Sequence, residues 1–285
     1  MKIVITGATG FIGNYVIHEL LKVKKHIIIA TGIEAKEDIK NIDWIKDLEY
    51  INCDLNELKQ NYFKFFKEPD LLIHLAWQGL PNYNKLFHIE KNLPSNCNFI
   101  KNLIKNGLKN LVVIGTCLEY GLIEGNLSED ICTNPITSYG IAKDTLRKYI
   151  QQLSKKYEFQ IKWIRLFYMY GRGQNPKSII SQLNKALDSN EKIFNMSGGE
   201  QIRDYLPVEK VAEYIVKIAL QNKLFWIINC CSNEPISIKD LVANHIKKRN
   251  GNIKLNLGYY PYPEYVPMVF WGDNSKLKKI LENSK

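Results

Sequence analysis

The stretch KIVIT at positions 2–6 is apolar and rich in β-branched residues, and beyond it the apolar positions Ile12, Val16, Leu20 and Val23 recur at steps of three and four. The first pattern predicts a buried strand and the second an amphipathic helix beginning near Phe11. The alternation then repeats. HIIIAT (26–31), LEYINC (48–53), DLLIHLAW (70–77), LVVIGT (111–116), IKWIRLF (161–167) and FWIINC (225–230) read as strands, and 92–106, 139–156 and 208–221 read as helices. Strands separated by helices predict an α/β fold with a doubly wound parallel sheet covered on both faces. From residue 172 onward the pattern loosens through GRGQNPKS, NMSGGEQIRD and YYPYPEYVP. These segments predict a smaller mixed α/β C-terminal region that covers the carboxyl ends of the strands, where such sheets bind ligands. The expected division is a dinucleotide-binding domain at 1–171, completed by about 206–231, and a substrate-binding region made of 172–205 and 232–285.

Composition narrows this picture without changing it. A chain of 285 residues, 45% hydrophobic, can bury one dominant core with a smaller satellite. No apolar run reaches membrane-spanning length, since LLIHLAW is broken by His74. Met1-Lys2 leads straight into IVITG, so no export leader is expected. The six cysteines form no CxxC pair, which points to reduced thiols, a cytoplasmic location and no metal site. The net charge of +10 comes from lysines scattered through LLKVKK, LSKKYE, HIKKRN and KLKKIL. That spread fits a solvated surface and a polyanionic small substrate; no recognition motif for nucleic acid accompanies it.

Chemistry concentrates in three places. TGATGFIG (6–13) sets Gly7, Gly10 and Gly13 between the first strand and its helix, where glycine permits a tight turn and close approach to a pyrophosphate. This is the Rossmann arrangement for a dinucleotide. The second strand ends in Thr31-Gly32 instead of the acid that holds the ribose hydroxyls of NAD, so NADP is permitted, with NAD possible and Lys36 available to a 2′-phosphate. Finally, Tyr139 and Lys143 in SYGIAK lie four apart at the start of a helix, on one face. A phenol with a pKa near ~10 becomes a usable acid or base only beside a cation, which the lysine supplies.

With these motifs in place, the chain resembles the extended short-chain dehydrogenase/reductase family, particularly its nucleotide-sugar epimerases, dehydratases and ketoreductases. TGATGFIG, CDL (53–55), HLA (74–76), GTCLEYG (115–121), SYGIAK, RLFYMYGRG (165–173), RDYLPVEKVA (203–212) and GDNSKL (272–277) occur in the family's order. The resemblance implies that Gly7, Gly10, Phe11, Ile12 and Gly13 cradle the cofactor, that Asp54 and Leu55 meet its adenine, and that Leu75 and Ala76 line its channel. It implies a triad of Thr116, Tyr139 and Lys143, with Trp77 and Tyr168 beside the sugar. Arg203 would reach the sugar nucleotide's diphosphate, a use that suits a guanidinium fork, unless it pairs with Asp204 or Glu209. A homodimer acting in surface polysaccharide biosynthesis is also implied.

Two departures carry information. Family epimerases often have Asn where this chain has Tyr168. The family's 4,6-dehydratases resemble Thr-Asp-Glu at the end of the fifth strand, whereas Cys117 and Leu118 follow Thr116 here. Elimination of water needs an acid and a base beyond the tyrosine. Glu119, taken as part of the strand, would point away from Leu118 and serves structure as readily as catalysis. Cys117 reads as a small hydrophobe. In HLAWQGLPNY and YYPYPEYVP the chain is most similar to dTDP-4-dehydro-6-deoxyglucose reductases, which implies NADPH-dependent reduction of a nucleotide-linked 4-keto-6-deoxy sugar, with dTDP-D-fucose as product. A 4-epimerase with tightly held NAD is the competing enzyme, and a non-catalytic dinucleotide-binding protein the competing class.

Overall fold

Seven strands, all parallel, form the central sheet. The computed structural model describes residues 1–224 and 226–282. In chain order its elements are β1 (Lys2–Thr6), α1 (Phe11–Val23), β2 (Ile27–Gly32), β3 (Glu49–Asn52), α2 (Tyr62–Phe65), β4 (Leu71–His74), α3 (Leu93–Lys105), β5 (Asn110–Thr116), β6 (Gly125–Leu127), α4 (Ser138–Leu153), β7 (Gln160–Leu166) and β8 (Tyr168–Tyr170). They continue as α5 (Ile179–Asp188), β9 (Ile193–Asn195), β10 (Ile202–Pro207), α6 (Val208–Leu220), β11 (Trp226–Cys230), β12 (Pro235–Ser237), α7 (Ile238–Lys248), β13 (Lys254–Asn256), β14 (Phe270–Gly272) and α8 (Ser275–Glu282). The sheet order is β11-β7-β5-β4-β1-β2-β3. The chain therefore winds outward from β1 through β2 and β3, then crosses back to β4 on the other side. That reversal beside β1 is the crevice where open α/β sheets bind ligands.

The strands read as continuous apolar runs because both faces are covered. Ile3 and Ile5 of β1 enter a core shared with α1 and α6, while Val4 enters a second core that holds Phe99 and Leu103 of α3 and Leu146 and Ile150 of α4. A separate cluster around Leu183, Phe194, Met196, Ile238 and Val242 joins α5, β9 and α7. The pairing register sets Thr31 and His74 on either side of Thr6 at the carboxyl ends.

Helices and strands lie where periodicity puts them to within a few residues, with informative exceptions. β4 stops at His74, not Trp77: the Leu75 N–H still reaches the Thr6 carbonyl at 3.1 Å, and just beyond it the Ala76 backbone comes against the Gly7 turn at the end of β1. The helix expected from 92 begins at Leu93, after a wide helical turn at His88–Asn92. β5 ends at Thr116 and the chain turns at once into a 3₁₀ turn at Cys117–Glu119, so Glu119 does not alternate on a strand as expected. Of the strand expected at 225–230, Phe225 lies outside the described residues.

Candidate active site

The glycine-rich turn is shaped by what a side chain would strike. Gly7 has φ +69°, and a Cβ there would lie 2.9 Å from the Ala76 backbone; at Gly13 it would lie 2.1 Å from the Gly7 carbonyl oxygen. Gly10 caps α1 with no side-chain hydrogen bond, leaving the first-turn N–H groups for an anion. Phe11 turns its ring edge to Tyr15 with centroids 5.9 Å apart, and Ile12 packs into the core, so these two offer backbone to the cradle and side chains to the fold. The cleft beside this turn measures about 440 Å³ and is lined by Thr6, Gly7, Gly10, Thr31, Glu34, Leu55, Asn56, Ala76, Trp77 and Asn96, among others.

Glu34 is the residue that sequence reasoning missed. β2 ends at Gly32, and two residues on the Glu34 carboxylate reaches back to accept a 2.8 Å hydrogen bond from the Thr9 hydroxyl, in the wall of the cleft. Thr31 is buried and its hydroxyl has no partner among the described residues. A shape-restricted glycine cradle, an unpaired buried hydroxyl and a carboxylate at the ribose end together fit a dinucleotide. Lys36 is exposed and is not part of the cleft wall. Asp54 accepts from the N–H and side-chain amide of Asn56, both at 2.9 Å, and so caps the turn after β3; Leu55 and Asn56 face the cleft in its place. Leu75 packs into the core and only Ala76 of that pair lines the cleft.

Behind the cleft runs a polar relay. The Thr6 hydroxyl meets His74 Nδ1 at 2.7 Å, His74 Nε2 meets Asn96 Oδ1, and the Asn96 amide donates to the Asn92 carbonyl at 2.7 Å. Asn96 Oδ1 can only accept, so Nε2 carries the proton and Nδ1 accepts from Thr6. Burial holds His74 down to about 3, so it stays neutral. The relay ties β1, β4 and α3 together at the site. Asn92 and Asn96 stand one helical turn apart, the only trace of it in the sequence.

Thr116, Tyr139 and Lys143 come together as expected. The Thr116 side chain lies near enough to the Tyr139 hydroxyl to draw its pKa down, against the larger effect of burial, and the Lys143 ammonium lies 6.0 Å from the Tyr139 ring centroid. Lys143 also donates to the Ile114 carbonyl at 2.8 Å and sits 4.0 Å from the Trp77 ring centroid. All three residues are more than nine-tenths buried. Burial, then the neighbouring Tyr83 and Glu119, raise the Tyr139 phenol, while burial lowers Lys143 to about 7 against the opposing charge of Glu119. Trp77 donates its indole N–H to His88 Nδ1 at 3.0 Å, which assigns the His88 Nε2 proton to the Asn82 carbonyl at 3.1 Å. Tyr83 accepts the Tyr139 backbone N–H at 2.9 Å and packs its ring 5.7 Å from that of Tyr139 and 6.0 Å from that of Tyr265. Tyr83 ends the HLAWQGLPNY segment that carries the resemblance, though no role is read for it there, and no pattern in the sequence marks His88 at the start of the wide helical turn.

Three expectations meet a different geometry. Glu119 is fully buried and its carboxylate accepts from the Thr116 N–H at 2.9 Å, the Trp163 indole at 2.9 Å and Arg165 Nε at 2.8 Å. Arg203 donates to the carbonyls of Ile202 at 2.7 Å, Met268 at 3.0 Å and Pro267 at 2.7 Å, and so anchors the 267–268 segment. Asp204, one of the two acids named as an alternative partner, accepts from Ser232 and Asn233. Tyr168 packs 5.3 Å from Tyr205 and 6.0 Å from Phe270, joining an aromatic group beside Arg203 and Cys117. Burial pushes the Cys117 thiol up to about 12, so it stays protonated.

The chain is similar to known proteins in family profile, in sequence and in fold. The profile of the NAD dependent epimerase/dehydratase family matches residues 3–231. The chain is 31% identical to dTDP-6-deoxy-L-talose 4-dehydrogenase (NAD(+)) of Aggregatibacter actinomycetemcomitans over 95% of this chain and 99% of that one. It is 25% identical to dTDP-4-dehydro-6-deoxyglucose reductase of Escherichia coli over 84% and 79% of the two chains. In fold it is similar to UDP-glucuronic acid 4-epimerase of Bacillus cereus, solved with UDP-glucuronic acid and NAD, at a TM-score of 0.85, 24% identity and coverage of 99% and 93%.

Proposed function

This chain belongs to the NAD dependent epimerase/dehydratase family, and from that premise we propose that it transfers a hydride at C4 of a nucleotide-linked 6-deoxyhexose. In one direction it reduces a 4-keto group and in the other it oxidises the 4-hydroxyl. The relatives named for 6-deoxy-talose 4-dehydrogenase and 4-dehydro-6-deoxyglucose reductase support a dTDP-linked sugar, and dTDP-4-dehydro-6-deoxyglucose is the first substrate to test. NAD(H) is favoured over NADP(H): the absent strand-end acid at Thr31 is compensated by Glu34, whose charge receives ribose hydroxyls and repels a 2′-phosphate.

Bound in the cleft, the nicotinamide supplies or accepts the hydride. Thr6, Gly7, Gly10 and the first-turn N–H groups of α1 hold the pyrophosphate end, and Glu34 the adenosine ribose. In reduction Tyr139 gives its phenolic proton to the C4 oxygen, Thr116 donates a second hydrogen bond to that oxygen, and the Lys143 cation offsets the charge left on the phenol.

The observation that carries this reading is the fate of the carboxylate after Thr116. Dehydration at C5 and C6 needs a further acid and base, yet Cys117 is a buried thiol and both Glu119 oxygens already accept hydrogen bonds. The test is incubation with C4-deuterated NADH and dTDP-4-dehydro-6-deoxyglucose, with NMR of the product. Deuterium at C4 with stoichiometric cofactor use is expected. Release of a 4-keto-6-deoxy sugar from an intact hexose nucleotide overturns the reading, and interconversion of two 4-hydroxy sugars without net cofactor use replaces it with a 4-epimerase.

A further inference from the structure

Glu119 sits where three elements of the site meet. It closes a reciprocal cap with Thr116: the Thr116 hydroxyl accepts the Leu118 N–H at 3.2 Å, and Glu119 Oε1 accepts the Thr116 N–H at 2.9 Å. It takes Trp163 and Arg165 from β7, with Arg165 Nε at 2.8 Å, and pairs at 3.7 Å with Arg147, which stands one turn beyond Lys143 on α4. The carboxylate is fully buried, and its charge is felt at both Tyr139 and Lys143.

We propose that Glu119 is a positioning residue of this site, fixing Thr116 through its backbone and supplying the buried negative charge that keeps the Lys143 ammonium in place beside Tyr139. This rests on the hydride-transfer reading above and deepens it. Among the described residues no other group is placed to take over the second role: the Asp144 carboxylate, next to Lys143 on α4, is engaged by Arg147 at 2.6 Å and Lys148 at 2.7 Å. His74 of β4 and His88 of the following turn are neutral, their pKa values lowered chiefly by burial, and Tyr139 is held as a phenol. Arg147 and Arg165 are cations engaged with Glu119 itself. The position of Thr116 is equally tied to it. A shift of the strand end by one ångström would move the hydroxyl off the C4 oxygen, a displacement that costs on the order of a hundredfold in rate.

The test reads Lys143 directly. In the full chain grown with ¹³Cε-lysine, the Lys143 resonance is assigned by its loss in Lys143→Arg and followed against pH in the wild type, Glu119→Gln and Glu119→Asp. With the charge removed, Glu119→Gln is expected to release the Lys143 proton roughly one pH unit lower, with the alkaline limb of reduction moving the same way. Its kcat should fall on the order of tenfold to a hundredfold while KM changes by less than about threefold. Glu119→Asp keeps the charge but retracts it, so the titration should return toward wild type while kcat stays low. If Glu119→Gln leaves Arg165 without an acceptor and does not fold, Glu119→Gln/Arg165→Met is measured against Arg165→Met alone, so that the comparison still differs only by the Glu119 charge. An unchanged Lys143 titration and pH profile in a folded variant overturns the proposal. The titration needs no substrate, so a wild type inactive on every nucleotide sugar would sink the functional reading and leave this measurement to decide Glu119.

Discussion

The Lys143 ammonium sits 4.0 Å from the centroid of the Trp77 ring, so the residue that walls the cleft also holds the cation beside the reactive phenol. A desolvated cation on a tryptophan face gains about 2 kcal/mol, enough to matter for a lysine that burial already lowers to about 7. Trp77→Leu is therefore expected to shift the alkaline limb of reduction to lower pH by roughly a unit. Trp77→Phe keeps a ring face and should retain most of that limb, while losing the indole hydrogen bond to His88. A pH-rate profile of the three proteins checks this; coincident profiles for wild type and Trp77→Leu count against it.

Stability and activity respond to pH through two buried bases. His74 is lowered by burial from an ordinary value near 6.5 to about 3, so between those values the unfolded chain binds a proton that the folded chain refuses. Stability then rises with pH through that window and is lost on acidification, by up to on the order of 4 kcal/mol. Thermal melts between pH 7 and pH 4 should show a falling Tm, and His74→Asn, which keeps an acceptor for Thr6, should start lower but flatten the slope. Lys143 works the other way for function. Between about 7 and its ordinary value near 10.5 the folded chain holds fewer protons, so stability gains with pH while the cation needed beside Tyr139 disappears. The kcat/KM for NADH, which reports the free enzyme, should fall above about pH 7.

What the sequence disclosed was local. The three- and four-step spacing after Phe11 and the glycines of TGATGFIG lie within one strand, turn and helix, so their geometry follows from a dozen neighbouring residues. Tyr139 and Lys143 are likewise one helical turn apart. The features that escaped depend on register between distant segments. The Thr6–His74–Asn96 relay exists because Thr6 pairs with His74 across β1 and β4. Arg203 is held by the carbonyls of Pro267 and Met268, 64 and 65 residues away. Glu34 lies in a loop past the end of β2, so a rule reading only the strand's last residue could not find it.

Glu34 should decide the cofactor. A charged acceptor for ribose hydroxyls contributes about 1.5–3 kcal/mol, so Glu34→Gln is expected to weaken NAD by roughly tenfold or more. The same change removes the charge that opposes a 2′-phosphate, and NADP affinity should rise. Calorimetry with both cofactors measures the crossover. Tighter binding of NADP than NAD by the unmodified protein would show that the Thr31-Gly32 strand end, not Glu34, governs the choice.

Removal of the Tyr139 hydroxyl separates proton transfer from binding. Its ring is held by the Tyr83 carbonyl at its backbone and by Tyr83, His88 and Trp77 at its faces, so Tyr139→Phe keeps the packing and deletes only the proton. Turnover should fall on the order of 10²–10⁴-fold, to a residual rate still measurable in a single turnover, while NAD affinity stays within a few-fold of wild type. Thr116→Val removes one hydrogen bond to the C4 oxygen and should cost on the order of 10²–10³ in kcat, but its backbone N–H still reaches Glu119, so folding is expected to survive. Because both hydroxyls act on the same oxygen, the double variant should be little worse than Tyr139→Phe alone. Stopped-flow reduction with the three variants tests that non-additivity, and substantial turnover by Tyr139→Phe would remove the tyrosine from the proton path.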